Sequence, residues 1–207
     1  MEQVRESCVH KDENNVVAWA AFLYGMAVTS PFNFITLTLP FFESMMPDYP
    51  ITYVVTFAVN GVMVIVVLVC LAAPGMASHP VKINLSLFIA GALTLFLPFL
   101  AKFVPNETAV FALCVSFMGI IGIMMGLALA GSLSYMSLMP ARYMALNSMG
   151  IGFSGLISLI LNAILLLIFG SSDSSEFARV VTFYTLNFVL MTMTASMYFY
   201  ERNSLFA

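Results

Sequence analysis

The sequence predicts an all-α polytopic membrane helical bundle with six transmembrane helices, and three observations lead to that expectation. Hydrophobic residues make up 61% of the 207-residue chain and charged residues only 8%, against about a quarter charged in soluble domains. Mean hydropathy is +1.00. The apolar residues fall into successive runs long enough to cross a hydrocarbon core about 30 Å thick, which asks for roughly 20 residues per helix. A water-soluble fold of this size cannot hide so much apolar surface, so the lipid bilayer is the expected surrounding of most of the chain.

Taken in order, the spans are expected at 16–42, 51–73, 81–103, 108–139, 143–169 and 177–200. Each break carries residues that stop helices: Pro47-Asp48-Tyr49-Pro50, Pro74-Gly75, Pro105-Asn106-Glu107, Pro140-Ala141-Arg142 and Gly170-Ser171-Ser172-Asp173-Ser174-Ser175. No connection is long enough to separate two domains. The expected organisation is a cytoplasmic N-terminal tail at 1–15, a bundle at 16–200 and a short C-terminal tail at 201–207. The tail holds Glu2, Glu6, Asp12 and Glu13 without an apolar stretch, so it does not read as a cleavable signal peptide and the first span is expected to direct insertion.

Basic loops stay cytoplasmic. With the N-terminus inside, Arg5, Lys11, Lys82, Arg142 and Arg202 are cytoplasmic, against Lys102 and Arg179 outside. Both termini are therefore expected in the cytoplasm of a multi-pass protein, with the plasma membrane its expected location. The Asn106-Glu107-Thr108 sequon falls outside, so close to the membrane that it is expected to stay unmodified. The net charge of −3 includes no run of like charges that would suit a nucleic acid. Cys8, Cys70 and Cys114 show no CxxC spacing and no neighbouring histidine, which fits packing residues rather than a metal or disulfide site, and no cofactor is implied.

No Asp, Glu, Lys, Arg or His falls near the middle of a span, which argues against proton coupling through a carboxylate. The spans carry uncharged polarity instead: Asn33, Thr36, Thr38, Thr56, Asn60, Ser132, Ser134, Tyr135, Asn147, Ser154, Asn162, Thr182 and Asn187. In the first span, Pro31-Phe32-Asn33 sits at mid-membrane, where proline removes a backbone donor and crowds the preceding turn. A kinked or opened helix there could bind a polar solute, as broken helices do in transporters, or Pro31 could simply shape the packing. Gly122, Gly126 and Ala130 recur every four residues and predict a close helix contact. Gly150-Ile151-Gly152-Phe153-Ser154-Gly155 matches a dinucleotide fingerprint in form only, since no strand precedes it and no acidic residue follows. Gly150, Gly152 and Gly155 are expected to mark a close helix crossing. The same stretch resembles the GxSG motif of rhomboid intramembrane serine proteases, but the histidines, His10 and His79, both lie upstream, and nothing after Ser154 could take its proton.

Taken together, these pieces resemble the N-terminal half of the equilibrative nucleoside transporter family. The family's Pro-Trp-Asn motif corresponds to Pro31-Phe32-Asn33. Its fourth-to-fifth connection corresponds to Gly131-Ser132-Leu133, then Pro140-Ala141-Arg142-Tyr143, then Gly150, Gly152 and Gly155. The resemblance implies a fold like one half of a major-facilitator-like transporter and facilitative, energy-independent transport of nucleosides or nucleobases, without enzymatic activity. It places Phe32 and Asn33 at the solute path, with Thr29 and Thr36 one turn to either side and Asn60 on the second span. Two departures accompany it. Leu129 stands where many members carry a base-binding glutamine, and the chain spans six of the family's usual eleven helices. The chain is then a truncated product, a fragment or a half-transporter, and a half-transporter would need a complementary half or a second copy as partner. The alternative is a non-transporting six-helix protein that assembles with or regulates a full-length transporter.

Overall fold

The computed structural model describes residues 15–73, 78–79, 81–170 and 172–205. The tail residues Arg5, Cys8, His10 and Lys11 and the Pro74-Gly75 break lie outside them. Helices dominate: α1 (Val16–Leu37), the short α2 (Leu39–Met45), α3 (Ile51–Ala72), α4 (Val81–Phe103), α5 (Glu107–Met136), α6 (Ala141–Phe169) and α7 (Asp173–Leu205). Six of these, all but α2, contain stretches long and apolar enough to cross a membrane. The chain is an integral, multi-pass membrane protein.

Several boundaries differ from the sequence expectation, among them the start of the last helix, at Asp173 rather than 177. The first span ends at Leu37, and Thr38 turns the chain into α2, whose second residue is Pro40, a position where proline's missing N–H costs no helix bond. The fourth ends at Met136 rather than near 139, because Ser137 and the following turn lead into Pro140. The last helix continues through Leu205, so most of the expected C-terminal tail is helical.

Two helices contain π-helical turns, at Phe57–Gly61 in α3 and Val81–Leu85 in α4. By contrast α1 passes through Pro31 without opening. The sequence expectation of an opened helix is corrected there, and the reason is local. Proline cannot donate to the carbonyl of Ala27, and the Ser30 hydroxyl lies 3.1 Å from that oxygen in its place.

The packing is uneven around the bundle. The α1–α6 contact is the most extensive, α3 packs mainly on α5, and α4 lies between α5 and α7. Glycines set the tightest approaches. A Cβ on Gly122 would sit 2.6 Å from the Val59 carbonyl oxygen, and one on Gly126 would sit 2.8 Å from that of Met63, so the expected contact of these two glycines is with α3. Gly25 and Gly150 bring α1 and α6 closer still: Cβ atoms there would lie 1.9 Å from the Asn147 oxygen and 2.0 Å from the Phe22 oxygen.

The interior divides into two hydrophobic clusters, one towards each end of the bundle. One gathers Phe34, Phe41, Val59, Leu97, Met118, Leu165 and Phe183, the other Ala20, Tyr24, Leu87, Ala128, Tyr143 and Met191. Between them, each of four helices contributes a buried polar residue: Ser30 on α1, Thr94 on α4, Ser154 and Ser158 on α6, and Asn187 on α7. A polar layer thus crosses the middle of the bundle.

Candidate functional site

The polar layer is held by short bonds between helices. Asn33 Nδ2 donates to Ser154 Oγ at 2.9 Å, linking α1 to α6. Ser158 in turn donates to the Ser154 carbonyl one turn away at 2.8 Å. Ser30 Oγ lies 2.8 Å from Asn187 Oδ1. A hydroxyl has one proton, so Ser30 serves both Ala27 and Asn187 only when the Asn187 amide turns its NH2 toward Ser30. On one side of this layer Thr38 Oγ1 and Tyr184 OH lie 2.7 Å apart. On the other, Asn147 Nδ2 donates to the Ala21 carbonyl at 3.1 Å.

Asn33 differs from the other asparagines in this group. Asn147 and Asn187 are fully enclosed, whereas Asn33 is half-buried. Its Nδ2 is committed to Ser154, while no bond to its Oδ1 is formed among the described residues. Gly155 explains the opening beside it: a Cβ there would touch only the two Asn33 amide atoms, both at 3.9 Å. Any side chain larger than hydrogen would begin to cover the amide. The result is an acceptor at mid-span, fixed in orientation by Ser154 and approachable past Gly155.

The other residues singled out in the sequence separate into several groups. Thr29 Oγ1 points to the Ile151 carbonyl of α6 at 3.4 Å, a long contact on the same seam. Thr36 is exposed, with its hydroxyl spent on the Phe32 carbonyl at 2.8 Å. Phe32 is half-buried and packs against the first hydrophobic cluster. Asn60 stands apart on α3, half-buried within the π-helical turn, and no described bond joins it to the α1 residues. Such turns are frequent at functional sites. Pro31 is buried within α1.

Of the three glycines expected at one crossing, Gly150 alone makes it. Nothing lies within 4 Å of a Cβ on Gly152, and Gly155 has only the Asn33 amide beside it. This corrects the expectation for Gly152 and Gly155. The 3.6-residue period explains it, because two and five positions from Gly150 point away from the face that Gly150 presents. The true partner is Gly25, unremarkable in the sequence because it stands alone. Ser30, Thr94 and Ser158 were also unmarked, although a serine next to a mid-span proline is a signal that could have been read.

Ser154, the residue of the protease-like motif, is buried, and its hydroxyl is held by an amide rather than by a base. Three described clefts open elsewhere: a water-sized one of about 30 Å³ between Thr38, Asn162, Glu176 and Arg179, and two larger ones on the outer surface. None is lined by Asn33. Neither a protein-family model nor a curated protein matches the chain.

Proposed function

We propose that this chain forms one wall of a facilitative transporter for an uncharged polar solute. Nucleosides or nucleobases are the class that the ordered motifs of spans one, four and five point to. The observation that carries the reading is the Asn33 amide: an oriented, unpaired acceptor at the level where two hydrophobic clusters give way to a polar layer. Lone polar groups facing hydrocarbon are costly, and one held in place by a second side chain suits a ring N–H or a sugar hydroxyl. Thr29 and Thr36 lie one turn to either side, and Asn60 adds an amide on α3.

Alternating access rocks one bundle against another around a site at their interface. A single six-helix bundle offers one side of such a site, so the proposal includes a complementary half or a second copy as partner. The reading includes a plasma-membrane location, and the distribution of Lys and Arg supports cytoplasmic termini.

The half-exposed position of Asn33 also favours a second reading, in which the same face docks on a full-length transporter and regulates it without moving solute. Labelled adenosine uptake into liposomes separates the two. Saturable uptake by the reconstituted chain, alone or with its co-purifying partner, supports transport. Stable association that changes a partner's uptake equally with and without the Asn33 amide supports regulation. No uptake in any assembly overturns the transport reading.

A further inference from the structure

The small cleft of about 30 Å³ lies where α1, α2, α6 and α7 meet, at the end of the bundle where α6 passes into α7. Its polar lining is Thr38, Asn162, Glu176 and Arg179, and Phe41 and Phe183 are among the apolar residues that close it. Asn162 precedes the end of α6 at Phe169 by seven residues, about 10 Å, and Arg179 is the seventh residue of α7, about 9 Å from its start. The two therefore stand at similar depth on neighbouring helices.

Size and charge together narrow what the cleft can hold. Its space exceeds the roughly 10–15 Å³ that a water requires and falls far short of the roughly 300 Å³ or more of a pocket for an organic ligand. The Arg179 guanidinium lies 3.5 Å from the Glu176 carboxylate, so each charge already has its counter-charge and neither a cation nor an anion finds an unpaired opposite here. What remains is neutral hydrogen bonding. Asn162 is half-buried and forms no hydrogen bond among the described residues, and its amide offers both donors and an acceptor. Thr38 Oγ1 has the Phe34 and Ile35 carbonyls at 3.0 and 3.1 Å and Tyr184 OH at 2.7 Å. With its proton on a carbonyl and one lone pair facing Tyr184, it keeps a second lone pair for a further donor.

We propose that this cleft is a binding site for one ordered water that joins Asn162 of α6 to the ion pair of α7 and the Thr38 hydroxyl. A water brings two protons and two lone pairs, so it can engage the Asn162 amide and still donate to the Glu176 carboxylate or to Thr38. Asn162 has no direct bond to α7, and the water supplies one. It stands eight residues, about 12 Å, beyond Ser154 on the same helix, so this joint steadies the far half of the helix that anchors Asn33. The proposal stands whether or not the chain moves solute.

Radiolytic hydroxyl labelling of the full chain in phosphatidylcholine nanodiscs tests it, because radiation turns bound water into hydroxyl radicals that oxidise the side chains beside it. Phe41 and Phe183 are 2% and 1% exposed and would stay silent in a dry cleft. Oxidation of both is the expected result. Phe34, 1% exposed and stacked on Phe183 at 4.0 Å but outside the cleft lining, should be left unmodified. Asn162→Leu, which removes the amide and narrows the space, should reduce both labels to the level of Phe34, whereas Asn162→Ser keeps a hydroxyl and should retain them. Silence of Phe41 and Phe183 in the unaltered chain, equal labelling of Phe34, or label that survives Asn162→Leu would each overturn the proposal, and the first two outcomes need no variant.

Discussion

Gly25 and Gly150 face each other's helix reciprocally: each stands where the backbone oxygen of the opposite helix, from Asn147 or Phe22, leaves no room for a methyl group. In a bilayer, where lipid tails are as apolar as leucine, such close approach is a main source of helix association. The α1–α6 seam depends on it, and the orientation of Asn33 against Ser154 depends on the seam.

The first prediction concerns this crossing. Gly25→Ala or Gly150→Ala should force the helices apart and lower stability by about 1–3 kcal/mol or more. Gly152→Ala should be neutral or stabilising by up to about 1 kcal/mol, since the site is open and alanine favours helix. Thermal unfolding in detergent measures all three. Equal behaviour of Gly150 and Gly152 variants would contradict the geometry.

A second prediction separates Asn33 from its anchor. In a transport-competent assembly, Asn33→Ala should lower uptake about tenfold, equivalent to about 1.4 kcal/mol, with unchanged membrane expression. Ser154→Ala should cost less, because the Asn33 acceptor survives and loses only its fixed orientation. Gly155→Leu should also lower uptake while leaving the fold intact, since its side chain would cover the amide. Wild-type uptake by Asn33→Ala would reduce this residue to a packing role.

The Thr38–Tyr184 pair predicts an asymmetry. Tyr184→Phe leaves Thr38 with its contacts to the Phe34 and Ile35 carbonyls, so the cost should be about 0.6 kcal/mol, typical of an interhelical bond in a membrane. Thr38→Val instead strands the buried Tyr184 hydroxyl, at about 1–3 kcal/mol. Unfolding in denaturing detergent would compare them, and equal losses would refute the account.

Glycosylation at Asn106 should be absent from the folded protein. The Asn106 Oδ1 caps α5 by accepting the Ala109 N–H at 3.2 Å, and Tyr49 OH donates to Thr108 Oγ1 at 2.9 Å. Both sequon side chains are engaged. Treatment with a glycosidase should leave the electrophoretic mobility of protein from eukaryotic cells unchanged, and Asn106→Ala should cost about 1 kcal/mol through the lost cap. A glycosidase-sensitive band missing from Asn106→Gln would disprove this.

The spans were legible because hydropathy and chain-stopping residues act locally, and their number and order follow from runs that no soluble fold could hide. Asn33 was legible for the same reason: an amide beside a proline is conspicuous in an apolar stretch. The polar layer was not, because it arises from residues as distant as Ser30 and Asn187, each ordinary in its own helix. Gly25 was invisible until α6 supplied the backbone that makes its missing side chain matter. The π-helical turns at Phe57–Gly61 and Val81–Leu85 likewise have no local marker, since neither contains a proline.

The α1–α6 seam also has a bearing on how the protein is made. Asn33 and Ser154 are 121 residues apart in the chain, and a ribosome adding about 5–20 residues per second needs roughly 6–24 s to make that stretch. During that interval α1 has neither its glycine counterpart nor the serine that holds its amide. The α3–α5 and α4–α5 contacts form between segments synthesised earlier. α1 therefore reaches its final place only after α6 has been made, and until then it is a finished helix whose main neighbour is still being translated.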